Sequence, residues 1–369
     1  MRNLSLKEIS QKLPRGWQWI AAAVVAVLLR MLLPAAVIEE YYYGAIFKGI
    51  RWLFDYTAGR LPFPAVYLLT LTLLIMLVRF FLRLRRERGS FGRKVGRFLW
   101  SATVFTAGAV FFFLVLWGYN YGRISVEEKL NFDPQPLTYE ELQAEFARTT
   151  EELIAARAAV PGATDSVLSP AYFPENAEDL IRADLTEWLR KHRYPTPGRV
   201  RGRLLHPQGI LLSISTAGVY LPWVGEGHID AGMYPIQWPF VTAHEMSHAY
   251  GFTDEGTCNF IAYLALRDSE NAFFRYSAVL GYWVYLASGT ARYDYDAYQE
   301  FYQTLPLGIR NDRKYIRAYA DRFPDLMPRL RDAFYNQYLK TQGIEEGIKN
   351  YSRVIMLVRA WRKRKQEAE

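Results

Sequence analysis

A chain of 369 residues, half of it hydrophobic and more than a fifth charged, suits a membrane part joined to a water-exposed part rather than one soluble globule. Its single cysteine, Cys258, excludes an internal disulfide framework and Cys-x-x-Cys zinc clusters. The net charge of +8 would suit nucleic acid if the basic residues formed one folded face, but they gather around apolar segments, so no nucleic-acid partner is expected.

Three stretches are long enough to cross a bilayer, which takes about 20 apolar residues. They run at about 17–38, 61–82 and 98–118. Arg30 interrupts the first, where snorkelling or contact with a neighbouring helix would accommodate it, and Pro34 should kink it. Trp17, Trp19, Trp100 and Trp117 stand near span ends, as in aromatic belts. Between the second and third spans come Arg83, Arg85, Arg86, Arg88, Arg93, Lys94 and Arg97, the charge signature of a cytoplasmic loop. The N-terminal flank, with Arg2, Lys7, Lys12 and Arg15, is also basic. Three spans then place residues 119–369 outside the cytoplasm of a multi-pass membrane protein. A cleaved signal peptide fits the first span poorly, because its apolar run is too long and no small-residue cleavage site follows.

The first loop, Glu39 to Arg60, is aromatic, with Ile46, Ile50, Leu53 and Phe54 at helical spacing. Two placements are equally open: on the outer membrane surface, or packed on the soluble domain. Beyond Tyr119 the texture is that of a mostly helical α+β domain. Thr138 to Ala159 reads as a capped amphipathic helix, and Asn176 to His192 as a second one. Tyr194 to Pro239 is rich in Pro and Gly, with strand-like runs "RVRGRLL" and "GILLSIS". After Pro239 the pattern is helical nearly to the end. Ala272 to Ser288 is apolar enough to raise a fourth span, but Arg275, Gly281 and its length favour a buried domain helix.

The segment "WPFVTAHEMSHAYGFTDEGTCNF", Trp238 to Phe260, carries the chemistry. His244 and His248 are four residues apart, so on a helix both imidazoles share one face and can bind one Zn2+ ion. Glu245 points about 100° round from His244, badly placed as a ligand but well placed as a general base for a water. Acids follow the turn at Gly251, where a third ligand is needed. Asp254 has a spacing that compact zinc peptidases use, and it equally suits the N-cap of a new helix; Glu255 is favoured as the ligand. Asn259, one turn beyond Glu255, is placed to hydrogen-bond the outer nitrogen of a ligand histidine. Cys258 reads as a small buried residue. Upstream, Glu226, His228 and Asp230 lie in an extended segment that could form a substrate edge, with His228 steadying an oxyanion or simply occupying a turn.

The chain resembles a family of uncharacterised bacterial membrane proteins that join N-terminal transmembrane helices to a zincin-like His-Glu-x-x-His domain. The resemblance rests on "EEYYYGAIF", "GRLPF", "LWGYNYGR", "STAGVYLPWVGEGHID", "PFVTAHEMSHAYGFTDEGTCNFIAYLA" and "YNQYLKTQGIEEGIKNYSRV", and covers nearly the whole chain. It implies that Glu255, Asn259 and Phe260 belong to the motif. Gly256, Thr257 and Cys258 replace a more acidic, alanine-containing stretch, and His228 and Asp230 stand where a smaller residue and Asn are expected. These readings lead to a three-helix anchor at 1–118 and a zincin-like metallohydrolase domain at 119–369. Its expected substrate is a peptide, protein or cell-wall peptide, and its fixed partner is the lipid bilayer. The competing expectation is a non-catalytic membrane module or envelope scaffold with a structural zinc. The basic loop supplies a direct test: cysteines placed between Arg83 and Arg97 should resist membrane-impermeant thiol reagents in intact cells, while cysteines placed after Tyr119 should react. The opposite labelling pattern would invert the topology.

Overall fold

Proline and charge decide where the apolar segments become helices. The computed structural model describes residues 14–86, 89–326 and 353–368, with isolated positions between 327 and 352. Arg2, Lys7, Lys12, Arg88 and most of the stretch 335–354 lie outside the described residues. Helix α1 (Trp17–Leu32) stops before Pro34, and wide π-type turns follow at Ile38–Ile46. Helix α2 (Phe47–Tyr56) fills the first loop. Pro62 and Pro64 delay helix α3 to Val66–Arg86, and helix α4 runs from Phe91 to Leu116. Both α3 and α4 extend into the basic loop, beyond the apolar cores read from sequence, because Arg and Lys sustain a helix once its backbone reaches water. α3 and α4 are long and apolar enough to cross a membrane, and a third span exists if α1 and the bent stretch after Pro34 count as one. The chain is therefore built for membrane association.

Packing divides the chain into two units: Met1–Phe47 with Ala65–Arg123 and Pro222–Val224, and Lys48–Pro64 with Ile124–Leu221 and Gly225–Glu369. In the first unit α1 packs along α4, with Trp19 against Phe111 and Phe112 at ring distances of 5.9 and 5.4 Å. The Tyr119 hydroxyl donates to the Ala26 carbonyl at 2.8 Å, and Tyr42 donates to Val115 at 2.9 Å. Arg123 pairs with Glu39 at 2.8 Å and covers the Tyr43 ring.

The second unit is mainly helical around one small sheet. Helix α5 (Val126–Leu130) precedes helix α6 (Tyr139–Ala158), which opens with a capping box between Thr138 and Glu141. Helix α7 (Ala177–Lys191) follows; Asn176 takes its N-cap position without a side-chain cap bond. Strands β1 (Arg201–Leu205), β2 (Gly218–Leu221) and β3 (Glu226–Asp230) form a sheet of order β1-β3-β2, with β1 parallel and β2 antiparallel to β3. The strand expected at "GILLSIS" is instead a tight turn with Ser215 in a left-handed conformation. The cause is Asp230: its buried carboxylate accepts the backbone N–H groups of Gly209, Leu211, Leu212 and Gly232 at 2.7–3.0 Å, winding the segment around itself.

Helices α8 (Trp238–Ala249), α9 (Glu255–Leu266), α10 (Ala272–Tyr293), α11 (Tyr295–Thr304), α12 (Leu307–Ala320) and α13 (Arg353–Ala368) complete the unit. α10 contains the apolar stretch that raised a fourth span. It is a domain helix: Phe274, Tyr276, Tyr282 and Trp283 are buried, and Trp283 stacks on Phe146 of α6 and donates to Thr150 at 2.9 Å. Buried charge is matched at several points among the helices. Arg157 and the Tyr276 hydroxyl both bond Asp312, and Arg362 of α13 bonds Glu152 of α6.

The first-loop helix α2 belongs to this second unit and is turned opposite to its hydropathy pattern. Phe47, Arg51 and Asp55 are its buried residues, one turn apart, while Trp52, Leu53 and Tyr56 are exposed.

The role of Asp230 is testable. Asp230→Ala should lower the melting temperature by several degrees, because each N–H left buried without an acceptor costs about 1–3 kcal/mol. Unchanged thermal unfolding would mean that the loop finds other acceptors.

Candidate metal centre

Helix α8 lies almost flat against the sheet, and glycines allow it. A side chain at Gly202 would stand 2.7 Å from Thr242, one at Gly227 2.6 Å from the Cβ of Glu245, and one at Gly218 2.5 Å from Glu245 Oε1. His244, Glu245 and His248 are therefore buried, although they belong to a polar motif. α8 ends where Gly251 takes a positive φ of 88°, and the chain turns back into α9. That reversal brings Glu255, the first residue of α9, to the two histidines.

The three donors converge. Nε2 of His244 and Nε2 of His248 are 3.1 Å apart, and a Glu255 carboxylate oxygen lies 3.1 Å from the first and 3.6 Å from the second. Ligand atoms of His244, His248 and Glu255 all fall within 4.8 Å of one another. The outer nitrogens are occupied: Nδ1 of His244 faces Asn259 Oδ1 at 2.9 Å, and Nδ1 of His248 faces the Phe252 carbonyl at 2.8 Å. Both partners are acceptors, so each Nδ1 carries the proton and both Nε2 lone pairs point into the same space. Two imidazole nitrogens and a carboxylate that converge this closely form a donor set that would fit a divalent metal such as Zn2+. Burial opposes charge on Glu255, yet the two histidines, when protonated, hold its carboxyl well below the usual range.

Asp254 is not among the converging donors. Its Oδ1 accepts the N–H of Thr257 at 2.6 Å as the N-cap of α9, and its carboxylate also pairs with Arg353 at 3.5 Å. Cys258 is buried, with its sulfur 3.3 Å from Nδ1 of His248, on the side away from the converging nitrogens. Burial pushes its thiol up to about 12, so it stands there as a neutral group.

Glu245 lies beside the cluster without joining it. Its side chain is pressed between α8 and the glycines of β2 and β3, and its Oε2 has no hydrogen-bond partner. Burial, reinforced by the Glu255 charge and opposed by the two histidines, pushes its carboxyl up to about 7. Of the remaining sequence candidates, Asn259 is brought to the cluster and His228 and Glu226 are not. Because Gly227 faces α8, its neighbours on β3 face the other side of the sheet. There His228 is buried, with neither ring nitrogen hydrogen-bonded and a Glu226 oxygen 3.7 Å away, and Glu226 accepts from Arg203 at 2.9 Å.

No sequence motif points to Tyr285. On α10, its hydroxyl faces Glu255 and Asn259; burial and the charge of Glu255 raise it above the ordinary phenol range. No spacing rule links it to the motif, since helix packing alone brings it there. Gly218 and Gly227 had a fainter signal, the short side chains in "STAGVYLPWVGEGHID".

A family model described as "Protein of unknown function (DUF3810)" matches residues 42–359. The chain belongs to this family. The DUF3810 match takes in α2, α3, α4, the sheet and the whole His-Glu-x-x-His region. Neither a curated protein nor a solved structure matches the chain.

Ligand and cap are separable by substitution. Glu255→Ala should abolish metal binding, whereas Asp254→Ala should keep the metal and lose about 1 kcal/mol of stability. Elemental analysis and thermal unfolding of the two variants check this; metal loss in Asp254→Ala with retention in Glu255→Ala would exchange the roles.

Proposed function

We propose that this chain is a membrane-anchored, zinc-dependent peptidase of zincin-like design, with its catalytic domain on the extracytoplasmic side of a bacterial membrane. The observation that carries the reading is Glu245: a buried carboxylate with an unpartnered oxygen, beside a three-donor metal cluster but not part of it. A structural zinc is closed by four protein donors and has no use for such a neighbour. A catalytic site keeps one position for water or substrate and needs a base next to it.

Zinc held by His244, His248 and Glu255 would polarise the scissile carbonyl and acidify a water. Glu245 takes the proton from that water as its oxygen bonds to the carbonyl carbon. It then gives the proton to the amide nitrogen as the C–N bond breaks, so the carboxylate is regenerated. Burial, which raises this carboxyl, favours its holding the proton between the two halves of the exchange. The Tyr285 hydroxyl, on the side of Glu255, is a candidate donor to the developing oxyanion. Asn259 and the Phe252 carbonyl keep the two imidazoles in the right tautomer.

An extended peptide suits the site as substrate. Among the described residues β2 pairs with β3 alone, so its other edge offers backbone donors and acceptors beside Glu245. A peptide added there as a strand would pass its carbonyls across the cluster.

The test uses Glu245→Gln, which keeps size and removes the base. Zinc content and melting temperature should stay unchanged, while cleavage should fall roughly 100- to 10,000-fold. Peptide-library or envelope-proteome cleavage by wild type and variant is the measurement. If Glu245→Gln fully complements a deletion strain and neither protein cleaves anything, the zinc is a structural staple.

A further inference from the structure

The first-loop segment Lys48–Pro64 is bonded to every strand of the sheet. Arg51 of α2 is completely buried. It donates to the Tyr220 hydroxyl of β2 at 3.2 Å and to the Gly225 carbonyl, just before β3, at 2.8 Å, and it pairs with Asp55. Asp55 in turn accepts the N–H of Arg199, just before β1, at 2.9 Å. Arg203 of β1 donates to the carbonyls of Gly59 and Leu61 at 2.9 and 2.7 Å.

A buried guanidinium is expensive and persists where bonds in fixed geometry offset the cost; here Nη1 and Nη2 are bonded, while Nε has no partner. Arg51 is buried on the same face of α2 as Phe47, while Trp52, Leu53 and Tyr56 of that helix are exposed. What Arg51 fixes is the height of the β2–β3 hairpin. It grips one residue in each arm, and the gripped residue of β2 lies two positions from Gly218, which touches the Glu245 carboxylate.

We propose that Arg51 is a positioning residue for the peptide-binding edge: it holds β2 at the distance from Glu245 and the metal cluster at which an added strand aligns with the base. This rests on the peptidase reading above. Arg51 touches neither substrate nor metal in this role; it acts through Tyr220 and the Gly225 carbonyl. The segment between the first two apolar stretches is thereby part of the catalytic apparatus.

The experiment compares two probes on the purified full chain. Acetohydroxamate reports the metal alone, and a tripeptide hydroxamate reports the metal plus the strand edge. Wild type should bind the tripeptide form more tightly. Arg51→Lys, which keeps a charge for Asp55 but cannot bridge Tyr220 and Gly225 together, should keep its zinc and its acetohydroxamate affinity. It should lose roughly tenfold in affinity for the tripeptide form, the scale of a hydrogen bond to a charged group. Tyr220→Phe removes a single hydroxyl, should shift the tripeptide affinity in the same direction by less, and decides the matter if the Arg51 variant fails to fold. Retention of the full tripeptide advantage in the variants overturns the positioning role and leaves the peptidase reading standing. Loss of zinc or of both affinities makes Arg51 merely structural and also overturns it. Equal binding of the two probes by wild type removes the strand edge and this proposal with it.

Discussion

The closeness of helix α8 to the sheet governs the rest of the site. Gly202, Gly218 and Gly227 present no side chains to the helix, so Thr242, Glu245 and Met246 meet strand backbone directly. At that distance no water layer covers the motif. Glu245 is desolvated, which lifts its carboxyl, and the two histidines are forced to find partners for both ring nitrogens. Asn259 and the Phe252 carbonyl meet the outer pair. The inner pair is left facing Glu255 and one shared space. The convergence of His244, His248 and Glu255 thus follows from packing as much as from the identity of the residues.

The two faces of the sheet solve the burial of charge differently. Toward α8, charge gathers around one point and calls for a cation. On the opposite face Arg203 neutralises Glu226, and Asp230 is satisfied wholly by backbone N–H groups. Extended geometry requires this separation, since alternate residues of β3 face opposite ways. Gly227 serves the site, while Glu226, His228 and Asp230 serve the fold on the other side.

What was legible in the sequence was local. The His244–His248 spacing, the capping box at Thr138 and the helix end at Gly251 each depend on residues within a few positions, and each is found in place. Asp254 and Glu255 also divide cap and metal-facing positions as helix-start rules suggest, because the first residue of a helix turns inward while its cap turns to the backbone. What was not legible depended on distant partners. Leu211 and Leu212 have strand propensity, yet Asp230 claims their N–H groups. Ile50, Leu53 and Phe54 suggested an apolar stripe on α2, but Leu53 is exposed and the buried face carries Arg51 and Asp55 beside Phe47, with polar partners on other elements. Tyr285 reaches the cluster through the packing of α10, which no periodicity encodes.

The bonding of the first loop into the sheet changes what counts as the domain in chain terms. A recombinant fragment cut at Tyr119 would look complete by hydropathy and would contain every residue of the metal cluster. It would also strip Arg203 of the carbonyls of Gly59 and Leu61, and Tyr220 of its guanidinium. Buried donors would be opened on both faces of the sheet, Tyr220 on the face that meets α8 and Arg203 on the other. A minimal soluble version of this protein is therefore discontinuous in sequence, and needs the segment 48–64 spliced back, for instance through a short linker ahead of residue 124.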